Sequence, residues 1–180
     1  MSVIAKTMGE AMFLSRFTNT LDAKGRVSVP ADFRTAVALD GISHNDDFAQ
    51  ENFDGIIVWP SIDGKWLEGG GMALLRSHQV LLNTLRPHDL ARIAFERAVF
   101  GESHRLSFDA SGRVSLPREL AEFAGLDKQA TFVGMGQRFE IWNPVAYDAK
   151  VKLVRKMAKE TRPRLYAVSQ FNTSGEGAGS

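Results

Sequence analysis

The sequence predicts an α+β protein built from two related units that face each other as a pseudo-dimer within one chain, with flanking helices. Three observations predict it. Asp22–Pro30 reads DAKGRVSVP and Asp109–Pro117 reads DASGRVSLP, seven identities in nine positions at an offset of 87 residues. Self-similarity of this kind marks repeated architecture, and two copies are too few for a solenoid. A Trp-and-Pro signal follows each copy, IIVWP at Ile56–Pro60 and EIWNP at Glu140–Pro144. Between and after the copies, apolar residues recur at helical spacing.

Each element follows from its residues. In the first copy Phe17–Leu21 alternates as a strand. Asp-x-x-Gly then turns the chain: the carboxylate caps local N–H groups and Gly supplies a positive φ. Arg26–Val29, β-branched and short, is predicted to return as the second strand of a hairpin. Pro30 suits the first turn of a helix, where its missing N–H is not needed, and ADFRTAVAL continues that helix. Phe48–Glu51 and Ile56–Trp59, on either side of Asn52–Gly55, read as a second hairpin. Asp22 to Trp59 spans 37 positions against 33 from Asp109 to Trp142, which places a small insertion around Ser43–Asp47. Both Trp59 and Trp142 end Ile-bearing strands and read as core anchors.

The second copy repeats the plan: strand Arg105–Phe108, turn Asp109–Gly112, strand Val114–Leu116 and helix Pro117–Ala124. Strands Thr131–Gly134 and Arg138–Trp142 follow, hinged at Met135–Gly136. Between the copies Gly69–Gly71 reads as a flexible joint, and Met72–Leu85 and His88–Phe100 as two helices broken at Pro87. Asn143–Lys159 is a further helix with Asn143 as cap and Pro144 as its first residue. From Ser169 the small polar run SQFNTSGEGAGS reads as disordered. The division that results is an N-terminal lead 1–15, a first repeat 16–62, a helical connector 63–101, a second repeat 102–145, a basic C-terminal helix 146–168 and a tail 169–180.

Composition narrows the chemistry. The absence of cysteine excludes disulfides, thiol nucleophiles, iron–sulfur clusters and Cys-type zinc sites. His44, His78, His88 and His104 form no i, i+4 pair, and there is no P-loop, nucleophile elbow or dinucleotide fingerprint. No metal, cofactor or small-molecule substrate is therefore expected. Met1–Phe13 lacks the apolar run of a signal peptide, and no stretch approaches the roughly 18 apolar residues of a membrane span. A protein inside the cell and off the membrane is expected.

The net charge of +1 does not announce a nucleic-acid partner, yet it hides a polarity along the chain. Ala38–Gly71 sets seven acidic residues against Lys65, and Lys150–Arg164 sets seven basic residues against Glu160. These read as two solvated surfaces of opposite sign, as faces that attract each other between subunits, or as a basic end that touches phosphate.

Asp-x-x-x-Arg is the chemically pointed constellation that occurs twice. A turn needs its Asp and Gly but not its Arg. Placed just past the bend, Arg26 and Arg113 can share their guanidinium fork with Asp22 and Asp109, which fixes the direction of the remaining donors. A preset Arg suits phosphate oxygens or the O6/N7 edge of guanine, and a two-stranded ribbon is narrow enough for the major groove. The rival reading pairs the two Asp as an acid–base dyad. That would make an aspartate-dependent hydrolase, and charge argues against it, because such a dyad shares a proton whereas a neighbouring Arg keeps each carboxylate ionised.

These motifs resemble the MraZ family of the SpoVT-AbrB superfamily. The resemblance is carried by Met12-Phe13, Leu21–Pro30, the run AFERAVFG ending at Gly101, Phe108–Pro117, Ala124–Leu126 and Phe139–Trp142, and it covers Met12 to Lys159. It implies two tandem AbrB-like swapped-hairpin β-barrel halves per chain and assembly into rings. It also implies binding to repeated boxes in the promoter of the protein's own division and cell-wall gene cluster, usually as a repressor, and association with the nucleoid. Family DNA contact falls on Asp22–Arg26 and Asp109–Arg113, with Lys24 on phosphate. An antitoxin-like AbrB relative that masks a toxin is the alternative binding role. The chain departs from the family pattern at Ser15, where the family commonly has Gly, and in its lead Met1–Ala11. Lys24 has no charged counterpart at Ser111, so the first copy is expected to attract phosphate more strongly than the second.

Overall fold

The computed structural model describes residues 12–43 and 53–173. A first unit runs through Pro144 and a second begins at Val145. In chain order the first copy holds β1 (Arg16–Thr20), β2 (Arg26–Ser28), α1 (Ala31–Ser43) and β3 (Gly55–Pro60), followed by β4 (Leu67–Gly70), α2 (Met72–Leu82) and α3 (Leu90–Phe95). The second holds β5 (His104–Ser107), β6 (Arg113–Ser115), α4 (Arg118–Phe123), β7 (Gln129–Gly134) and β8 (Phe139–Trp142), and α5 (Pro144–Thr173) closes the chain. The protein is α+β, with antiparallel sheets and several helices.

The local hairpins predicted at the two turns do not form as hairpins. Among the described residues, the strands make a six-stranded sheet in the order β1-β7-β8-β4-β3-β5 and a separate two-stranded ribbon of β2 and β6. β1 pairs with β7 over five residues, β3 pairs with β5 over four, and β2 pairs with β6. The two arms of the first turn are linked by the isolated bridge Leu21–Val27 and by Asp22 N donating to Arg26 O at 2.9 Å. Burial decides the outcome. A three-residue strand returning on its neighbour is marginal in water, whereas pairing Val27 with Val114 buries both, at 0% and 1% exposure. Each copy thus gives its first strand to a strand of the other copy.

Three further expectations change. Gly69–Gly71 is no flexible joint, and the segment read as a helical connector opens with strand β4, paired to β3 and β8. Glycine is required there by close approach: a Cβ on Gly69 would sit 2.7 Å from the Phe139 ring and 2.8 Å from the Ile57 carbonyl. The last helix runs past Lys159 and past Ser169 to Thr173, with Pro163 inside it. Good helix formers on both sides carry it through the one lost N–H. Phe13, assigned to the lead, belongs to the core: it is 4% exposed, bridges to Gly136 and lies edge-on to Phe33 and Phe139.

Elsewhere the elements lie close to expectation. Pro87 separates α2 from α3, which opens on Asp89 accepting from Ala91 N at 2.8 Å and winds on into a π-helical turn, Glu96–Phe100. α1 and α4 both start nine positions past their Asp, but α1 has 13 residues and α4 has 6, so part of the first copy's insertion is helix. The predicted strand Phe48–Glu51 lies outside the described residues, as do 174–180 of the tail. The main core gathers Phe33, Phe132, Phe139, Ile56, Ile141 and Val114 from both copies, and a smaller cluster of Ile57, Trp59 and Val99 packs with Leu74, Leu75 and Phe95. Trp59 is the anchor the sequence predicts, and Trp142 is buried against Trp66.

Candidate nucleic-acid interface

The two turns have the same chemistry atom for atom. Asp22 Oδ1 accepts the main-chain N–H groups of Lys24 and Arg26, both at 2.9 Å, and Oδ2 accepts Arg26 Nε at 2.8 Å. Asp109 Oδ1 accepts Ser111 N at 2.9 Å and Arg113 N at 3.0 Å, and Oδ2 accepts Arg113 Nε at 2.8 Å. Gly25 and Gly112 complete the bends at φ +76° and +72°, and their N–H groups return to the Asp carbonyls at 2.9 Å. Both carboxyls are held below the ordinary aspartate value, chiefly by the N–H of Arg26 or Arg113; desolvation opposes this, and the guanidinium and the N–H of Lys24 or Ser111 add to the lowering. They are ionised at neutral pH, which removes the proton a catalytic dyad would share. The Nε of each Arg is committed to its Asp, and the terminal nitrogens of the fork carry four further N–H donors.

The ribbon sets the two motifs in relation. Arg26 pairs with Ser115, Val27 with Val114 and Ser28 with Arg113, and the ladder extends through Val29 N to Gly112 O at 3.1 Å and Leu116 N to Gly25 O at 2.8 Å. Paired residues share a face and successive residues alternate, so Arg26, Ser28, Arg113 and Ser115 occupy one face, with Val27 and Val114 on the other. Val27 and Val114 are buried, Ser28 and Ser115 are exposed, and the two Arg side chains are each 35% exposed. The Arg backbones are diagonal neighbours, about 7–8 Å apart, and each side chain leans back toward its own turn at its own end of the ribbon. The four residues Asp22, Arg26, Asp109 and Arg113 are therefore gathered on one strip. Lys24 lies exposed on the first turn and Ser111 exposed on the second.

One cation beside this strip is not legible from the motifs. Arg34, from α1 of the first copy, lays its guanidinium over the turn of the second: a Cβ on Gly112 would sit 2.5 Å from Nη1 and 2.8 Å from Nε of Arg34. Its Nε is buried and meets no hydrogen-bond partner. Arg34 shares an open cleft of about 360 Å³ with Phe17, Asn19, Ser28, Asp32 and Ser111. Its only trace in the sequence is asymmetry, since the equivalent position in the second copy is Ala121.

Among the described residues no group of three or more His, Asp or Glu could hold a metal ion, and no helix is long and apolar enough to cross a membrane.

Comparison with known proteins bears on the chain as a whole. The family described as "MraZ protein, putative antitoxin-like" matches residues 99–164. A transcriptional regulator MraZ of Rickettsia canadensis is 40% identical over 151 residues, covering 84% of this chain and 94% of that protein. Those of Beijerinckia indica and Methylocella silvestris are 40% and 41% identical, covering 85% and 86% of this chain and 87% and 88% of theirs. With identity at this level over most of both chains, and with a doubled Asp-x-x-x-Arg turn on cross-paired strands, the chain belongs to the MraZ family of transcriptional regulators.

Proposed function

We propose that the chain is a sequence-specific DNA-binding repressor that acts on repeated boxes in the promoter of its own division and cell-wall gene cluster, as a ring-shaped homo-oligomer in the cytoplasm, associated with the nucleoid. The observation that carries this reading is the pair of Asp-clamped guanidinium groups on one face of a two-stranded ribbon. A ribbon fits a major groove about 12 Å wide, and an Arg whose Nε is already held has its remaining donors aimed for guanine O6/N7 or phosphate. Arg26 and Arg113 are the readers, Asp22 and Asp109 orient them, and Lys24 meets phosphate. The interleaving of strands supports the finer reading of the fold as two swapped-hairpin halves, repeats 16–62 and 102–145, in an intrachain pseudo-dimer. One chain presents few aimed cations, so neighbouring copies engaging adjacent boxes supply affinity through effective concentration. A toxin-masking role, in line with the family's description, draws on no feature of this strip.

The test is titration of a labelled duplex from upstream of the gene with the parent chain and with Arg26→Ala and Arg113→Ala. Each substitution is expected to weaken binding about 5- to 150-fold, the equivalent of roughly 1–3 kcal/mol for a bidentate base contact, while assembly size is unchanged. Duplexes with one box are expected to bind more weakly than duplexes with several. Equal affinity of both variants and the parent, or indifference to box number, overturns the reading.

A further inference from the structure

We infer that Arg34 is a phosphate-contacting residue that serves the second turn, standing in for the lysine that turn lacks. The inference rests on the DNA-binding reading above and goes beyond it, since the repeated motif does not contain Arg34.

Pseudo-symmetry between the copies exposes the role of Arg34. The offset of 87 that relates the motifs also relates α1 to α4, so Lys24 corresponds to Ser111 and Arg34 to Ala121. Both cations belong to the first copy, and the second copy is neutral at each matching position. The ribbon crosses the copies, however, and α1 of the first copy reaches the turn of the second. Arg34 packs on Gly112, immediately before Arg113 and immediately after Ser111. The first turn has Lys24 beside Arg26, and the second has Arg34 beside Arg113. The expectation that the first copy attracts phosphate more strongly is replaced by near equality of the two turns, through a residue 79 positions before the arginine it supports.

The local chemistry fits an anion. The Arg34 Nε is buried against Gly112, so an anion entering the open cleft that Arg34 lines would meet the terminal nitrogens of its guanidinium. The cleft it lines adds Ser28 and Ser111, and Ser28 is the ribbon residue opposite Arg113. A phosphate of the duplex that Arg113 reads would meet Arg34 on the same side. Asp32 lines the cleft as well, which limits the attraction to a single phosphate rather than a run of them.

The experiment measures salt dependence of binding to the upstream duplex for the parent, Arg34→Gln and Ser111→Glu. Loss of one phosphate contact lowers the slope of log K against log salt by about 0.9. Arg34→Gln is expected to show that fall with the preferred sequence unchanged, and Ser111→Lys in the same background is expected to restore the parent slope. Ser111→Glu, on an exposed position, is expected to weaken binding without touching the core, and it carries the test if Arg34→Gln folds poorly. If the parent binds and both Arg34→Gln and Ser111→Glu keep its affinity and slope, the Arg34 contact is overturned while the DNA-binding reading stands. If the parent itself does not bind, the reading falls and the contact with it.

Discussion

The backbone at Ser15 lies at φ +72°, in the left-handed region that glycine occupies without penalty. The conformation is held from both sides, by the Phe13–Gly136 bridge and by Gly134 N donating to Ser15 O at 2.9 Å. This gives a physical meaning to the departure from the family pattern noted in the sequence. Ser15→Gly is expected to raise stability by about 0.5–1 kcal/mol, the left-handed penalty less the entropy glycine loses on folding, or about 1–4 °C in Tm for a chain of this size. Thermal unfolding followed by circular dichroism reads it. At the two aspartates, a pKa lowered in the folded state means that the contribution of the clamp is fully present above the ordinary value of 3.8 and is lost as pH falls through the lower folded value. DNA binding is accordingly expected to show no loss attributable to these carboxyls between about pH 5 and 8, an interval that starts roughly a unit above the ordinary value. Asp22→Asn or Asp109→Asn is expected to weaken binding at every pH in that interval, as an anisotropy titration would show.

At the scale of elements, the turns were legible because their chemistry is local: Asp, Gly and Arg stand within five positions of one another. The partner of each strand was not legible. Arg26–Ser28 has the composition of a returning hairpin arm, and nothing within the first copy reports that Val27 will be covered by Val114 instead. That choice depends on a second chain segment 87 positions away, a tertiary preference that local propensity does not contain. β4 is not legible for a related reason, since LEGG carries the signature of a loop and becomes a strand because β3 and β8 pair with it on either side, with Phe139 and Ile57 closing on Gly69. Gly69→Ala is expected to destabilise the protein by about 1–3 kcal/mol, the range for overpacking a tight contact. Val114→Ala, which opens a cavity under the ribbon, is expected to cost about 2 kcal/mol from two buried carbons and the void they leave. Urea unfolding measures both. The second should also loosen the ribbon that carries both arginines.

At the scale of the whole molecule, neither copy is a folding unit. β1 is completed by β7 and β5 by β3, so a fragment ending near Gly101 has the partner of neither its first strand nor its ribbon. Residues 12–101 and 102–180 made separately are each expected to remain largely unfolded, and to regain the circular dichroism of the intact chain when mixed. This interdependence also makes Arg34 intelligible: a helix of one copy can arm the turn of the other because the chain has already crossed between them.

The flat contact between Trp66 and Trp142 joins the segment that follows the first copy to the last strand of the second, with ring centroids 4.2 Å apart and planes 11° from parallel. Indoles so close share their excited states, so the pair should give a paired positive and negative band in ultraviolet dichroism and a quenched emission that reports on its separation. Trp59, in its own cluster with Ile57 and Val99, stands outside that exchange. The molecule thus carries an intrinsic optical gauge, with no added dye, of the instant at which its N-terminal and C-terminal parts come together.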